Sequence, residues 1–188
     1  MVKNKLIILG GMPASGKTTV GKSVARSLKL PFLDKDTLCD IYTNFVVERD
    51  TFPNDRSSDL YTKKLRNIEY EILFHVALEQ VSLGLCPILV APFSTEFRDE
   101  KKMKLLEDRL KSIDPEYELV SILIHASPEK VKDQIIKRNR PEDSKKIEFW
   151  DSYINDKIEF QEKAKSIVNY VISDAESDLA KKICSLLI

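Results

Sequence analysis

The chain has 188 residues, 43% of them hydrophobic and 32% charged, a composition that supports a packed core and excludes an intrinsically disordered chain. Lys plus Arg and Asp plus Glu both number 30, which argues against holding nucleic acid by bulk electrostatics, although a local basic groove fits inside a neutral total. No apolar run approaches the roughly 20 residues that cross a bilayer. Cys39, Cys86 and Cys184 are widely spaced without a CxxC pair, so they read as buried reduced thiols rather than a metal site. The length suits one domain, 1–188. Met1-Val2-Lys3-Asn4-Lys5 leads straight into an apolar run and leaves no room for a signal peptide, so a cytoplasmic location is expected.

In chain order, Leu6-Ile7-Ile8-Leu9 reads as a strand buried on both faces. Val20, Val24 and Leu28 then recur at helical spacing until Pro31, and Pro31-Phe32-Leu33 is a short second strand. Between Leu60 and Leu83, Leu65, Ile68, Ile72 and Val76 predict one helix face, with Gly84 as its stop. Ile88–Ala91 and Val120–Ile124 are further strands, and Val168–Ile172 a fifth. Pro128–Arg138 predicts a helix capped by Ser127, and a last helix follows Asp174. This alternation predicts a three-layer α/β fold, a parallel sheet with helices on both faces. Thr51–Asp59 and the charged stretch Arg138–Ser152 break the pattern and are candidate moving segments.

Gly11-Met12-Pro13-Ala14-Ser15-Gly16-Lys17-Thr18 joins the first strand to the first helix. A helix leaves its first N–H groups unpaired, so its N-terminus attracts anions, and the glycines let the backbone curl around a phosphate. Lys17 supplies a charge to the outer phosphates, the Thr18 hydroxyl suits Mg²⁺, and Thr19 extends the loop's hydroxyl set. The loop therefore predicts binding of a nucleoside triphosphate with Mg²⁺.

Asp34-Lys35-Asp36 lies at the exit of the second strand, on the sheet edge that carries the phosphates. Asp34 is assigned to the Mg²⁺ shell and Asp36 to an acceptor hydroxyl; the alternative is that both cap the next helix, Asp36-Thr37 being a good cap. A carboxylate of ordinary basicity suffices, because in a loose phosphoryl-transfer transition state the hydroxyl loses its proton late.

With this loop, Asp34-Lys35-Asp36, Ala91-Pro92-Phe93 and Arg138-Asn139-Arg140-Pro141-Glu142-Asp143 leading to Trp150, the chain resembles small AAA-type ATP-binding proteins with a P-loop kinase core. These are related to shikimate, gluconate and adenylylsulfate kinases, chloramphenicol phosphotransferase and the zeta toxins. The resemblance runs from about Lys5 to Trp150. It implies a five-stranded parallel sheet in the order 2-3-1-4-5 and transfer of the γ-phosphoryl group of ATP to a small acceptor. ATP rather than GTP comes from the resemblance alone, as no NKxD motif is present. One departure is that Leu89-Val90-Ala91-Pro92 lacks the aspartate ending this strand in many P-loop ATPases, which makes a motor unlike this chain.

The resemblance also implies a lid, about 138–152, in which Arg138 and Arg140 close over the triphosphate and neutralise charge in transfer. An acceptor-binding insertion spans about 38–84. Arg98 is the candidate to bind an anionic part of the acceptor, and Ser94 or Thr95 to cap the helix after the third strand. Trp150 reads as packing at the far end of the lid. His75 and His125 receive no role. The favoured reading is an ATP- and Mg²⁺-dependent kinase for a small-molecule hydroxyl. A polynucleotide 5′-hydroxyl kinase and a non-catalytic ATP-binding switch are the alternatives, the first disfavoured by zero net charge and the second by the paired aspartates.

Overall fold

The computed structural model describes residues 2–50, 58–139, 143–174 and 178–188. Residues 51–57 of the predicted polar loop Thr51–Asp59, and the lid residues Arg140, Pro141 and Glu142, lie outside the described residues.

Strands β1 (Lys5–Gly11), β2 (Phe32–Asp34), β3 (Ile88–Val90), β4 (Glu118–His125) and β5 (Tyr170–Ser173) form one parallel sheet in the order β2-β3-β1-β4-β5. β1 is central because it is apolar on both faces. Leu6 and Ile8 enter one core, and Ile7 and Leu9 the other. The first core is closed by helices α3 (Arg66–Ser82), α4 (Glu100–Ile113), α5 (Pro128–Arg138) and α7 (Trp150–Ala164). The second is closed by α1 (Lys17–Leu28) and α8 (Leu179–Leu187). Helix α2 (Lys35–Asp50) leaves the end of β2, and the short α6 (Ser144–Glu148) precedes α7. Among the described residues no helix is long and apolar enough to cross a membrane.

Three local expectations need correction. The expected helix after Leu60 opens with a π-helical turn, Tyr61–Leu65, and the face of α3 that is buried is Glu69, Tyr70, Leu73, Phe74, Ala77 and Val81. Ile68, placed on the core face by its spacing, is exposed. Both faces satisfy helical periodicity, and the one carrying Tyr70 and Phe74 wins because its rings pack with Phe93 at 5.7 and 6.2 Å. The cap of α4 is Asp99, whose carboxylate accepts from the Lys101 N–H, rather than Ser94 or Thr95. The cap of α2 is Asp34, not Asp36. Ser127 caps α5 as expected, accepting from the Lys130 N–H.

The topology places the C-terminal ends of β1, β2 and β3 side by side, and the Gly11 N–H donates to the Pro92 carbonyl across them at 3.3 Å. That edge carries the site.

Candidate active site

The loop between β1 and α1 is bent by three residues in the left-handed region, Gly11 at φ 148°, Ala14 at 62° and Gly16 at 84°. Gly16 stands at the helix start with open space where a side chain would be. Gly11 has none: a Cβ there would lie 2.7 Å from the Ile124 carbonyl oxygen and 3.0 Å from Ser15 Oγ. Met12 is packed in the core below, whereas Pro13 and Ala14 are half-buried above it. Gly11→Ala is therefore expected to lower stability by about 2–3 kcal/mol through combined strain and overlap. Urea unfolding followed by Trp150 fluorescence checks this.

Lys17 reaches back over the loop to donate to the Met12 carbonyl at 3.0 Å. Burial pushes its pKa down to about 8 against the attraction of Asp36 and Asp34, and Arg138 and Lys35 add to the depression. All four groups thus lie within electrostatic reach of this ammonium. Ser15 Oγ is buried without a hydrogen-bond partner among the described residues. A buried hydroxyl with no partner among the described residues, a lysine bonded to a loop carbonyl and an open helix N-terminus make a set that fits a polyphosphate.

The Thr18 hydroxyl donates to Asp34 Oδ2 at 3.0 Å, while Asp34 Oδ1 accepts from the Thr37 N–H at 3.1 Å. One carboxylate thereby both caps α2 and bonds to the start of α1. A hydroxyl beside a carboxylate is a hard-oxygen set suited to Mg²⁺, which keeps several waters. Thr19, next on α1, is exposed. Asp36 lies in the first turn of α2 with its side chain 56% exposed, 3.0 Å from the ammonium of the buried Lys35.

Arg138, at the end of α5, forms a two-pronged pair with Asp143, Nε to Oδ2 at 2.5 Å and Nη2 to Oδ1 at 2.6 Å. Lys146 adds a third bond to the same carboxylate at 2.6 Å. Burial opposes ionisation of Asp143, but the Arg138 and Lys146 hydrogen bonds outweigh it and hold the carboxyl below its usual range. Trp150 packs 5.8 Å from Tyr153, and Lys132 lies over its ring at 5.2 Å.

Arg98 is not drawn into this group. Its Nη2 donates to the Asp156 carbonyl at 2.6 Å and carboxylate at 2.9 Å, and its guanidinium lies over Phe160 at 5.4 Å, all on α7. A hollow of about 350 Å³ lined by Arg98, Asp99, Lys101 and Lys163 includes none of the phosphate-loop residues. The cation that faces the end of β3 is Arg66, which sequence patterning passed over. It lies 4.5 Å over the Tyr70 ring and 3.4 Å from Ser94 Oγ. Phe93 there adopts φ 50°, and its N–H donates to Tyr70 Oη at 3.0 Å.

A family model described as AAA domain matches residues 6–154. The chain belongs to the AAA domain family. A 40-residue stretch of this AAA domain is 52% identical to the pentafunctional AROM polypeptide of Schizosaccharomyces pombe, 21% of the chain and 2% of that protein. The chain thus spans a small fraction of the curated relative it matches.

Solved structures similar to the AAA domain include a gluconokinase from Sinorhizobium meliloti, TM-score 0.60 at 14% identity, covering 100% of this chain and 93% of that one. A shikimate kinase from Bacteroides thetaiotaomicron gives 0.60 at 19% identity, covering 97% of each chain. A shikimate kinase from Acinetobacter baumannii, in complex with shikimate, gives 0.57 at 17%, covering 98% and 92%. At these identities the likeness concerns the fold, which is that of the P-loop kinases.

Proposed function

We propose that this AAA domain transfers the γ-phosphoryl group of ATP, with Mg²⁺, to a hydroxyl group of a small molecule. The observation that carries the reading is the meeting, at one sheet edge, of the Lys17 loop, the Thr18–Asp34 pair and the half-exposed Asp36. The loop N–H groups and Lys17 bind the triphosphate and stabilise charge as transfer proceeds. Bound Mg²⁺ would neutralise the β- and γ-oxygens, held by Thr18 and Asp34 directly or through water. Asp36 orients the acceptor hydroxyl, whose oxygen bonds to the γ-phosphorus as the bond to the bridging oxygen breaks. ADP leaves with that electron pair, and the hydroxyl proton passes to Asp36 and then to solvent. Arg138, once released from Asp143, would neutralise charge on the donor as transfer proceeds.

On the acceptor side, Arg66 is a second candidate beside Arg98: its guanidinium lies by Ser94, which follows β3, and 3.9 Å from Glu96, whereas Arg98 is bound by Asp156 on α7. Shikimate and gluconate, the acceptors named by solved relatives of the same fold, are the first compounds to try. The test is ADP formation from Mg·ATP across a panel of hydroxyl compounds and 5′-hydroxyl oligonucleotides. Stimulation by particular small hydroxyl compounds is expected. Stimulation by oligonucleotides alone, or tight nucleotide binding with no acceptor-dependent turnover, would overturn the reading.

A further inference from the structure

The middle residue of Asp34-Lys35-Asp36 points inward. Lys35 is 4% exposed and Glu69, on α3, is wholly buried. The Lys35 ammonium donates to Glu69 Oε2 and lies 3.0 Å from Asp36 Oδ1. Glu69 also accepts from the Thr43 hydroxyl of α2 at 2.7 Å and from the Tyr61 hydroxyl at 2.9 Å. Donors from the start of α2, its third turn and the π-helical turn thus converge on one carboxylate. Stability does not explain such a cluster, since an apolar pair of similar size serves a core as well as a buried ion pair, or better.

An apolar pair cannot do one thing this pair does, which is to set an immobile cation at hydrogen-bond distance from an exposed carboxylate. We propose that Lys35 is a positioning residue for phosphoryl transfer, fixing the orientation of the Asp36 carboxylate from inside the protein, with Glu69 holding Lys35 in place. The inference rests on the reading of Asp36 as the residue that orients the acceptor hydroxyl. The charges agree with it. One cation stands between two carboxylates, and the one at the surface, Asp36, carries the negative sign that a hydroxyl donor requires. Burial works against the Lys35 charge, but Asp36, Tyr61 and Glu69 outweigh it and hold the ammonium protonated well beyond the ordinary lysine range.

The test is a double-mutant cycle on the full chain with water as acceptor, following ADP release from Mg·ATP. Lys35→Met alone would strand a buried Glu69 charge, so the working variant is Lys35→Met with Glu69→Gln, which removes both charges; the amide oxygen keeps an acceptor for one of the Thr43 and Tyr61 hydroxyls, and the other hydroxyl turns to accept from the amide N–H. The expected loss in kcat is about tenfold, with KM for ATP within about twofold and more than half the activity retained by Lys35→Arg. In the Asp36→Asn background the same pair of changes is expected to have less than about twofold effect, because residues that act as a unit are not additive.

An equal loss in both backgrounds, or a loss confined to KM for ATP, would mark Lys35 as structural only and overturn the inference while leaving the Asp36 reading intact. No effect of Asp36→Asn itself would overturn that reading, and the inference with it. The side-chain rotamer of Asp36, read from NMR couplings in the wild type and the Lys35→Met/Glu69→Gln variant, decides the positioning whatever the rate of hydrolysis. One rotamer becoming an average supports it, and an unchanged coupling refutes it.

Discussion

Asp36→Asn is expected to lower acceptor-dependent turnover by about 10²–10⁴-fold while leaving the dissociation constant of Mg·ADP within about twofold. The substitution is nearly isosteric and half-exposed, so it should cost the fold little. What it removes is the negative charge facing the acceptor. On the proposed reading the carboxylate both aligns the hydroxyl and receives its proton, which an amide cannot do. Donor binding is spared because the contacts of the phosphate loop, the Thr18–Asp34 bond and the cap of α2 all belong to other residues. Steady-state kinetics on the best acceptor, paired with calorimetric titration of Mg·ADP, separates the two effects. Loss of nucleotide affinity with unchanged kcat would place Asp36 on the wrong side of the site.

Lys17→Ala is expected to abolish function from the donor side, by about 10³-fold in turnover and by tenfold or more in Mg·ADP affinity. The ligand-free protein should not suffer equally. Depression of the Lys17 pKa from 10.5 to about 8 corresponds to about 3 kcal/mol of charge-burial cost, so the truncated protein is expected to unfold at the same or a higher temperature. The sign follows from linkage. The folded pKa lies below the unfolded one, so between about pH 8 and 10.5 the unfolded chain binds more protons, and stability rises with pH in that window. The cost is complete below about pH 8, and the stability gap between Lys17→Ala and the wild type should narrow above it. Thermal melts at pH 7 and pH 10 check this, and a gap that widens with pH would refute it.

The phosphate loop was legible because its chemistry is local: two glycines, a lysine and a threonine at set spacing between an apolar strand and a helix. The strand order followed from resemblance rather than from periodicity. Asp34 and Asp36 were legible as a pair, but not which of them caps α2, since only the structure brings Asp34 Oδ2 to Thr18 and Oδ1 to the Thr37 N–H. Glu69 was invisible because pattern reading assigns a glutamate on a helix to solvent, and nothing in its neighbourhood signals Lys35, 34 residues away. Arg98 shows the opposite error. A cation just past a strand end looks available, yet Asp156, 58 residues later, takes it. Long-range pairing decides the availability of a charged side chain, and spacing along the chain does not carry it.

The fate of the γ-phosphoryl group tests the proposed reaction most directly. ³¹P NMR of Mg·ATP incubated with the protein and its most stimulating hydroxyl compound is expected to show loss of the γ signal and growth of a phosphomonoester resonance in step with ADP, absent in Asp36→Asn. Growth of inorganic phosphate alone, at a rate the hydroxyl compound does not alter, would contradict it.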